Sequence, residues 1–285
     1  MSGATDNTMR LLDGVIDPVL APLHALPAGA HVVQLACGTG GLSLALARRR
    51  GDLRITAVDL DHEVLDAGRA AAGREGLAVG FRRMDLARLE MGDGTADGVI
   101  SRMGLFLPGT APFDVAAREA ARILRPGGVL SLATWSDLAD SPYTGVGLPL
   151  LRRILPEGRV PRLEAMFRAR PEELEEHLRA AGLQHVEGRW YEWRAEYPDF
   201  DAWWRFGTGI GPLAALFGRL DHDELARARQ MMSEDLEQYR TTDGAYRLPA
   251  RARVVTAQAA GPARNRPGAR PYSRRNAPLS ANSVE

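Results

Sequence analysis

A doubly wound α/β fold, a mainly parallel sheet with helices on both faces, is what this sequence predicts, and three observations carry it. The apolar run Val32-Val33-Gln34-Leu35-Ala36 breaks into Cys37-Gly38-Thr39-Gly40-Gly41, and Leu42, Leu44, Ala45 and Ala47 follow at roughly helical spacing. That pattern is a buried strand turning tightly into a helix. Short β-branched runs and helical patterns then alternate as far as Thr134, as strand–helix–strand crossovers require. Acids stand at two strand ends, Asp59 and Asp85, and a sheet of this kind binds its ligands at the carboxyl ends of its strands.

In chain order, residues 8–26 carry a helical apolar face of Leu11, Leu12, Val15, Ile16, Val19 and Leu20, interrupted at Pro18. Arg54 to Leu60 is the second strand, and Asp61 caps a helix running through Val64, Leu65, Ala67, Ala70 and Ala71 to a stop near Gly76. Ala78 to Met84 and Asp97 to Arg102 read as the third and fourth strands. Residues 114–124 form a helix on Val115, Ala116, Ala120 and Ile123, and Pro126-Gly127-Gly128 ends it before a fifth strand, Val129 to Thr134. Pro171 to Leu183 has a helix's punctuation: Pro at the start, Glu172 and Glu173 in the first turn, Arg179 near the end and Gly182 as the stop. Val186 to Tyr197 and Arg251 to Ala257 are the last strands, an antiparallel pair that brings the sheet to seven. Phe200, Trp203, Trp204, Phe206 and Phe217 read as core, or as the wall of a pocket for a flat substrate. Gly207-Thr208-Gly209-Ile210-Gly211 follows an aromatic helix rather than a strand, and reads as a flexible bend, not a phosphate site.

Composition bounds the rest. The 285 residues are 45% hydrophobic and 25% charged, enough for one large domain with a sizeable core. Thirty-six basic residues, all arginine, balance thirty-six acidic ones, so net charge gives no case for nucleic acid as partner. No run of eighteen apolar residues occurs and Met1 to Arg10 is polar, so the expectation is a cytoplasmic protein without a membrane span or secretory signal. Cys37 is the single cysteine, with no histidine near it in sequence, and the six histidines form no metal-ligand spacing, so no metal is expected. From residue 261 the chain is rich in Arg, Pro, Gly, Asn and Ser, and reads as a disordered tail over 261–285.

A glycine turn after a strand is a nucleotide site or only a turn. Asp59, about twenty residues further on, is where a doubly wound fold sets a carboxylate beside ribose hydroxyls, and the pair favours a ligand. In order and spacing, Val33-Gln34-Leu35-Ala36-Cys37-Gly38-Thr39-Gly40, Ala57-Val58-Asp59-Leu60, Met84-Asp85-Leu86, Val99-Ile100-Ser101-Arg102-Met103-Gly104-Leu105 and Ile123-Leu124-Arg125-Pro126-Gly127-Gly128 resemble the motifs of class I S-adenosylmethionine-dependent methyltransferases. The likeness covers about residues 30–135 and is nearest to the small-molecule branch, of the quinone-biosynthesis type.

The resemblance implies a Rossmann-like fold with five parallel strands, the antiparallel pair and a helical cap: a domain over 1–260 with cap segments near 137–170 and 199–245. It implies S-adenosylmethionine as cofactor. Ala36, Cys37, Gly38 and Gly40 would line its methionine part, Asp59 would take the ribose hydroxyls and Leu60 would touch adenine. Asp85 would accept from the adenine amino group with Leu86 alongside, and Ser101 would sit near the amino acid end. Met103, Phe106, Trp135 and Tyr143 are the expected acceptor-pocket residues; no catalytic base is visible in the motifs. Three departures from the family stand out: Gln34 in place of an acid, Ala36 in place of a glycine, and no aromatic residue before Phe81 to close over the cofactor. The expected activity is methyl transfer to a small organic acceptor, secondary-metabolite or quinone-like. Two other readings remain open, an enzyme that uses the cofactor without transferring its methyl, as a cyclase would, and a cofactor-binding regulatory protein. The expected partner is a small molecule rather than nucleic acid or membrane, and a homodimer is open.

Overall fold

The computed structural model describes residues 12–105, 111–135, 153, 171–209 and 217–261. Among them a single sheet of seven strands is formed: β1 (His31–Gln34), β2 (Arg54–Asp59), β3 (Val79–Arg83), β4 (Ala96–Arg102), β5 (Leu124–Trp135), β6 (Leu183–Tyr197) and β7 (Tyr246–Ala259), in the order β3-β2-β1-β4-β5-β7-β6. β1 to β5 are parallel, and β7 runs antiparallel to both β5 and β6. The expected fold class is the one observed. β1 and β4 are buried along their whole length, which is why they read as near-continuous apolar runs rather than as alternating ones.

Helices cover both faces. On one, α4 (Phe113–Ile123) and α5 (Pro171–Ala180) close a core with Val33, Leu35, Val99, Leu130, Leu132 and Val255. On the other, α1 (Ile16–Leu20) and α2 (Gly41–Arg49) pack Val19, Leu20, Leu42 and Leu46 against Val32, Ile100 and Val254. α3 (His62–Glu75) starts as its sequence dictates, with the Asp61 carboxylate accepting from the Glu63 amide at 2.8 Å, and it stops at Gly76 with φ 63°.

Several boundaries move. The described part of the predicted N-terminal helix is three short pieces, a 3-10 turn over Asp13–Val15, then α1, then a second 3-10 turn over Ala21–Ala25. Pro18 and Pro22 each lack the amide that a continuous helix needs. α5 ends three residues early and β6 begins at once at Leu183, because Gly182 takes φ 87°. β5 starts before the Pro-Gly-Gly turn: Leu124 already pairs with Ala96, and a register shift absorbs the turn before Val129 pairs with Gly98. Gly207 to Gly209 is the last turn of α6 (Phe200–Gly209), not a bend; the Thr208 hydroxyl donates to the Trp204 carbonyl at 2.7 Å. Ile210 and Gly211 lie outside the described residues, as do the cap segment near 137–170, apart from Arg153, and the tail from 262.

β7 begins five residues earlier than the sequence suggests, and this shapes the molecule. β5 ends at Trp135 opposite Ala252, whereas β6 and β7 stay paired on to Tyr197 and Tyr246. Residues 192–197 and 246–251 therefore form a two-stranded ribbon that projects past the carboxyl end of β5. Ala195, Tyr197, Tyr246, Leu248 and Ala250 face α6 and α7 (His222–Leu236), whose Trp203, Ala228, Met232 and Leu236 complete a second core. The aromatic cluster belongs to that core, with Trp203 and Phe217 buried and Phe200 and Trp204 packed against them.

Candidate cofactor site

The chain leaves β1 at the point where the strand order turns, with β2 on one side and β4 on the other. Leu35 donates its amide to Ile100 of β4 and Cys37 donates to Val58 of β2, at 2.8 and 2.9 Å. The turn is thus stitched to both neighbours at the crevice where doubly wound sheets hold ligands. Its backbone is left-handed at Ala36, Gly38 and Gly40, with φ of 46°, 54° and 78°. A side chain on Gly38 would meet nothing, so this backbone is open to an approaching molecule. Gly40, the N-cap of α2, is closed on its inner side, where a Cβ would lie 2.5 Å from the Phe81 ring. The same ring packs on Gly68 of α3, so Phe81 wedges the start of α2 against α3.

Gln34 is 2% exposed and lies beneath this turn. Its Oε1 accepts from the Ser43 amide at 2.9 Å and from the Ser43 hydroxyl at 2.6 Å, and its Nε2 donates to the Cys37 carbonyl at 3.5 Å. Gly40 has no side chain with which to cap α2, and Gln34 does so from below. The amides of Gly41 and Leu42, ahead of Ser43 in the first turn, have no intrahelical acceptor, and this is the donor end that favours an anionic group. The departure at position 34 is therefore a brace that joins the helix start to the turn.

Asp59, at the end of β2, reaches back to the turn: its Oδ2 accepts from the Gly38 amide at 2.7 Å and its Oδ1 from the Asp61 amide at 3.2 Å. Leu60 follows it, 48% exposed, the one large apolar side chain so exposed among the described residues. The Met84 amide donates to the Asp59 carbonyl at 3.0 Å, which brings Asp85 beside them. Asp85 is exposed and accepts from the Ala87 amide at 2.8 Å, and Leu86 is buried.

Ser101 lies behind the turn rather than at its mouth. It is 1% exposed, and its hydroxyl donates to the Leu35 carbonyl at 3.0 Å. Cys37 is buried, and burial together with the neighbouring Asp59 carboxylate pushes its thiol well above the usual range. It is a packing residue, not a nucleophile. Met103 is buried at the carboxyl end of β4 with φ 61°, a conformation that a non-glycine side chain adopts at a cost and that clusters at ligand sites. Next to it, Gly104 lies against Ala36, whose Cβ and carbonyl leave no room for a side chain there. Trp135 closes β5, its side chain outside the described set, as are Phe106 and Tyr143.

Sequence reading missed Gln34 and Ser43 as a capping pair, Phe81 as the wedge, and Arg102. The Arg102 side chain is 4% exposed, with Asp13 3.7 Å away and the Leu12 carbonyl at 3.4 Å. The signal for the first was present: a glycine N-cap with a buried amide nine residues before the third helical position. The others depend on contacts between distant segments.

These residues fit S-adenosylmethionine. An open glycine backbone beside helix amides suits the methionine end, a carboxylate at the next strand end suits two hydroxyls, and an exposed leucine followed by a second carboxylate suits adenine with its amino group. A methyltransferase domain model matches residues 32–128. An uncharacterised protein of Mycobacterium tuberculosis is 30% identical over 122 residues, 42% of this chain, and the chain spans only 43% of that relative. A ubiquinone biosynthesis O-methyltransferase of Xanthomonas axonopodis is 32% identical over 190 residues, 61% of this chain and 77% of the relative. Among solved structures, a methyltransferase assigned to an antibiotic biosynthesis pathway in Anabaena variabilis superposes with a TM-score of 0.59 at 19% identity, covering 85% of this chain and 96% of that one. Motif order, the geometry of the turn and the relative matched over three quarters of its length agree: the chain belongs to the class I S-adenosylmethionine-dependent methyltransferases.

Proposed function

We propose that the protein transfers a methyl group from S-adenosylmethionine to a small organic acceptor, quinone-like or of secondary-metabolite type. The observation that carries this reading is the Asp59 carboxylate joined to the open glycine turn through the Gly38 amide. It ties the ribose-binding acid and the methionine cradle into one rigid unit. The bound cofactor supplies a methyl group already activated on a sulfonium. What remains for the protein is to hold that group, exclude water and align an acceptor, and positioning of this kind can supply several kcal/mol of a barrier.

In this reading Asp59 accepts from the ribose hydroxyls, Leu60 and Leu86 flank adenine, and Asp85 takes its amino group. The backbone from Ala36 to Gly40 lies along the methionine part. Ser101 contributes indirectly, by holding Leu35 and so the entry to the turn. Met103, Phe106, Trp135 and Tyr143 form the acceptor side, of which Met103 follows β4 and Trp135 closes β5. Incubating the protein with methyl-labelled cofactor and a metabolite extract, then searching by mass spectrometry for products that gain the label, tests the proposal. A labelled product is expected. Acceptors altered without gain of label, with the cofactor recovered unchanged, would replace methyl transfer by the cyclase reading.

A further inference from the structure

On the ribbon face opposite α6 and α7, charged side chains alternate along both strands. The register sets Glu196 against Arg247, Arg194 against Pro249 and Glu192 against Arg251. Two of these rungs are ion pairs, Glu196 with Arg247 at 2.9 Å and Glu192 with Arg251 at 3.6 Å. The middle rung cannot be one, because Arg194 faces a proline, and among the described residues Arg194 has no carboxylate partner. Around this rung lies a hollow of about 430 Å³ lined by Glu192, Trp193, Arg194, Pro249, Ala250 and Arg251, a size that accommodates a small organic molecule. Below it, the Arg251 and Arg253 guanidinium groups lie over the Trp190 ring, 4.2 and 5.3 Å from its centre. That stacking fixes Arg251 as one wall.

The place of the hollow gives it meaning. Its residues begin one position past the Trp135–Ala252 pair that ends β5. It is therefore at the carboxyl end of the sheet, the same end as the glycine turn. From β1 to β7 is three strand spacings, about 15 Å, and in the methyl-transfer reading the cofactor's methyl group would lie between. Among the described lining residues Arg251 is met by Glu192, and Arg194 is the guanidinium that has no carboxylate, which leaves one positive charge to be matched there. That surplus matches a singly charged carboxylate, which a guanidinium binds through two parallel hydrogen bonds. A doubly charged phosphate ester would bring a second negative charge beside Glu192, with no further cation among the described lining residues to meet it.

We propose that this hollow seats the anionic end of the acceptor, that Arg194 is its anchor, and that the acceptor is a carboxylate-bearing molecule about 10 to 15 Å long from anchor to methylated atom. The proposal deepens the methyl-transfer reading and rests on it. Arg194 is a specificity residue: it fixes which molecules are aligned with the cofactor and leaves the cofactor's own binding alone.

The test uses the full chain saturated with S-adenosylhomocysteine, titrated by calorimetry with 4-hydroxycinnamate, its amide and phenyl phosphate. The carboxylate should bind at least tenfold more tightly than the amide, and Arg194→Gln should remove that preference while Arg194→Lys keeps part of it. Arg189→Gln, an exposed arginine of the same strand that pairs with Glu187 outside the hollow, should change nothing. S-Adenosylhomocysteine should bind all variants equally. Equal binding of acid and amide, an Arg194→Gln protein that holds the acid like the parent, tighter binding of phenyl phosphate, or no carboxylate binding to a protein that does bind S-adenosylhomocysteine would each overturn the anchor and leave the methyltransferase reading standing. Failure of S-adenosylhomocysteine itself to bind would remove both.

Discussion

The glycine turn and the β6–β7 ribbon stand at the same end of one sheet and are built by opposite means. The turn is made of backbone. Three left-handed residues, two amide-to-carbonyl links to neighbouring strands and one carboxylate on the Gly38 amide set its shape, and its side chains are few and small. The ribbon is made of side chains, with Trp203, Met232, Leu236 and Leu248 fully or almost fully buried in a core that no other part of the sheet shares. A backbone-built site depends on particular residues at particular positions and tolerates little change. A packed core depends on volume and burial and tolerates many sequences. The turn therefore suits a cofactor common to a family, and the ribbon an acceptor that differs between members.

That contrast predicts that damage to the two regions separates stability from cofactor affinity. Trp203→Ala should have the largest effect on stability, about 3 to 5 kcal/mol for loss of a buried indole. The melting temperature should fall on the order of 10 °C, while calorimetry below the transition finds S-adenosylmethionine bound as in the parent. Gly40→Ala should come next, at about 2 to 4 kcal/mol, from left-handed strain at φ 78° and the clash with Phe81. Here cofactor binding should be lost in a protein that circular dichroism shows to be folded. Gln34→Ala leaves the Ser43 amide without its acceptor and should cost about 1 to 3 kcal/mol, with affinity falling alongside stability. The smallest change has the opposite sign. Ala36→Gly removes strain at φ 46° and restores the residue usual in the family, so a gain of up to about 1 kcal/mol is expected in chemical denaturation, after the entropy that glycine adds to the unfolded chain. If Trp203→Ala abolished cofactor binding at temperatures where it is folded, the two regions would be one cooperative site.

The same contrast explains what the sequence could and could not reveal. The turn and the acids Asp59 and Asp85 are local patterns whose chemistry is set by residues close together in the chain, and they stand at the strand ends where the spacing predicts. Asp61 and Gly76 bound α3 for the same reason. The bracing role of Gln34 is not legible in the sequence because its partner Ser43 lies across the turn and the bond between them exists only once the chain has doubled back. Ser101 lies on a strand buried on both faces, where alternation does not tell which side chain reaches the cleft, and its hydroxyl donates to the Leu35 carbonyl. The start of β7 is hard to read from the sequence because Tyr246 to Ala250 alternates against α6 and α7 rather than against the main sheet, and Pro249 brings no amide to the ladder. The N-terminal apolar face has helical spacing but divides into short pieces around Pro18 and Pro22, where the missing amides outweigh periodicity.

The central claim, that the glycine turn and Asp59 together hold S-adenosylmethionine, is tested most directly by isothermal titration of the cofactor into the parent, Asp59→Asn and Asp59→Ala proteins, with circular dichroism to confirm folding. The parent should bind. Asp59→Ala loses a charged acceptor for two hydroxyls and also frees the Gly38 amide, so its affinity should fall by roughly ten- to a hundredfold or somewhat more, with Asp59→Asn between the two. An Asp59→Ala protein that is folded and binds as tightly as the parent would contradict the assignment.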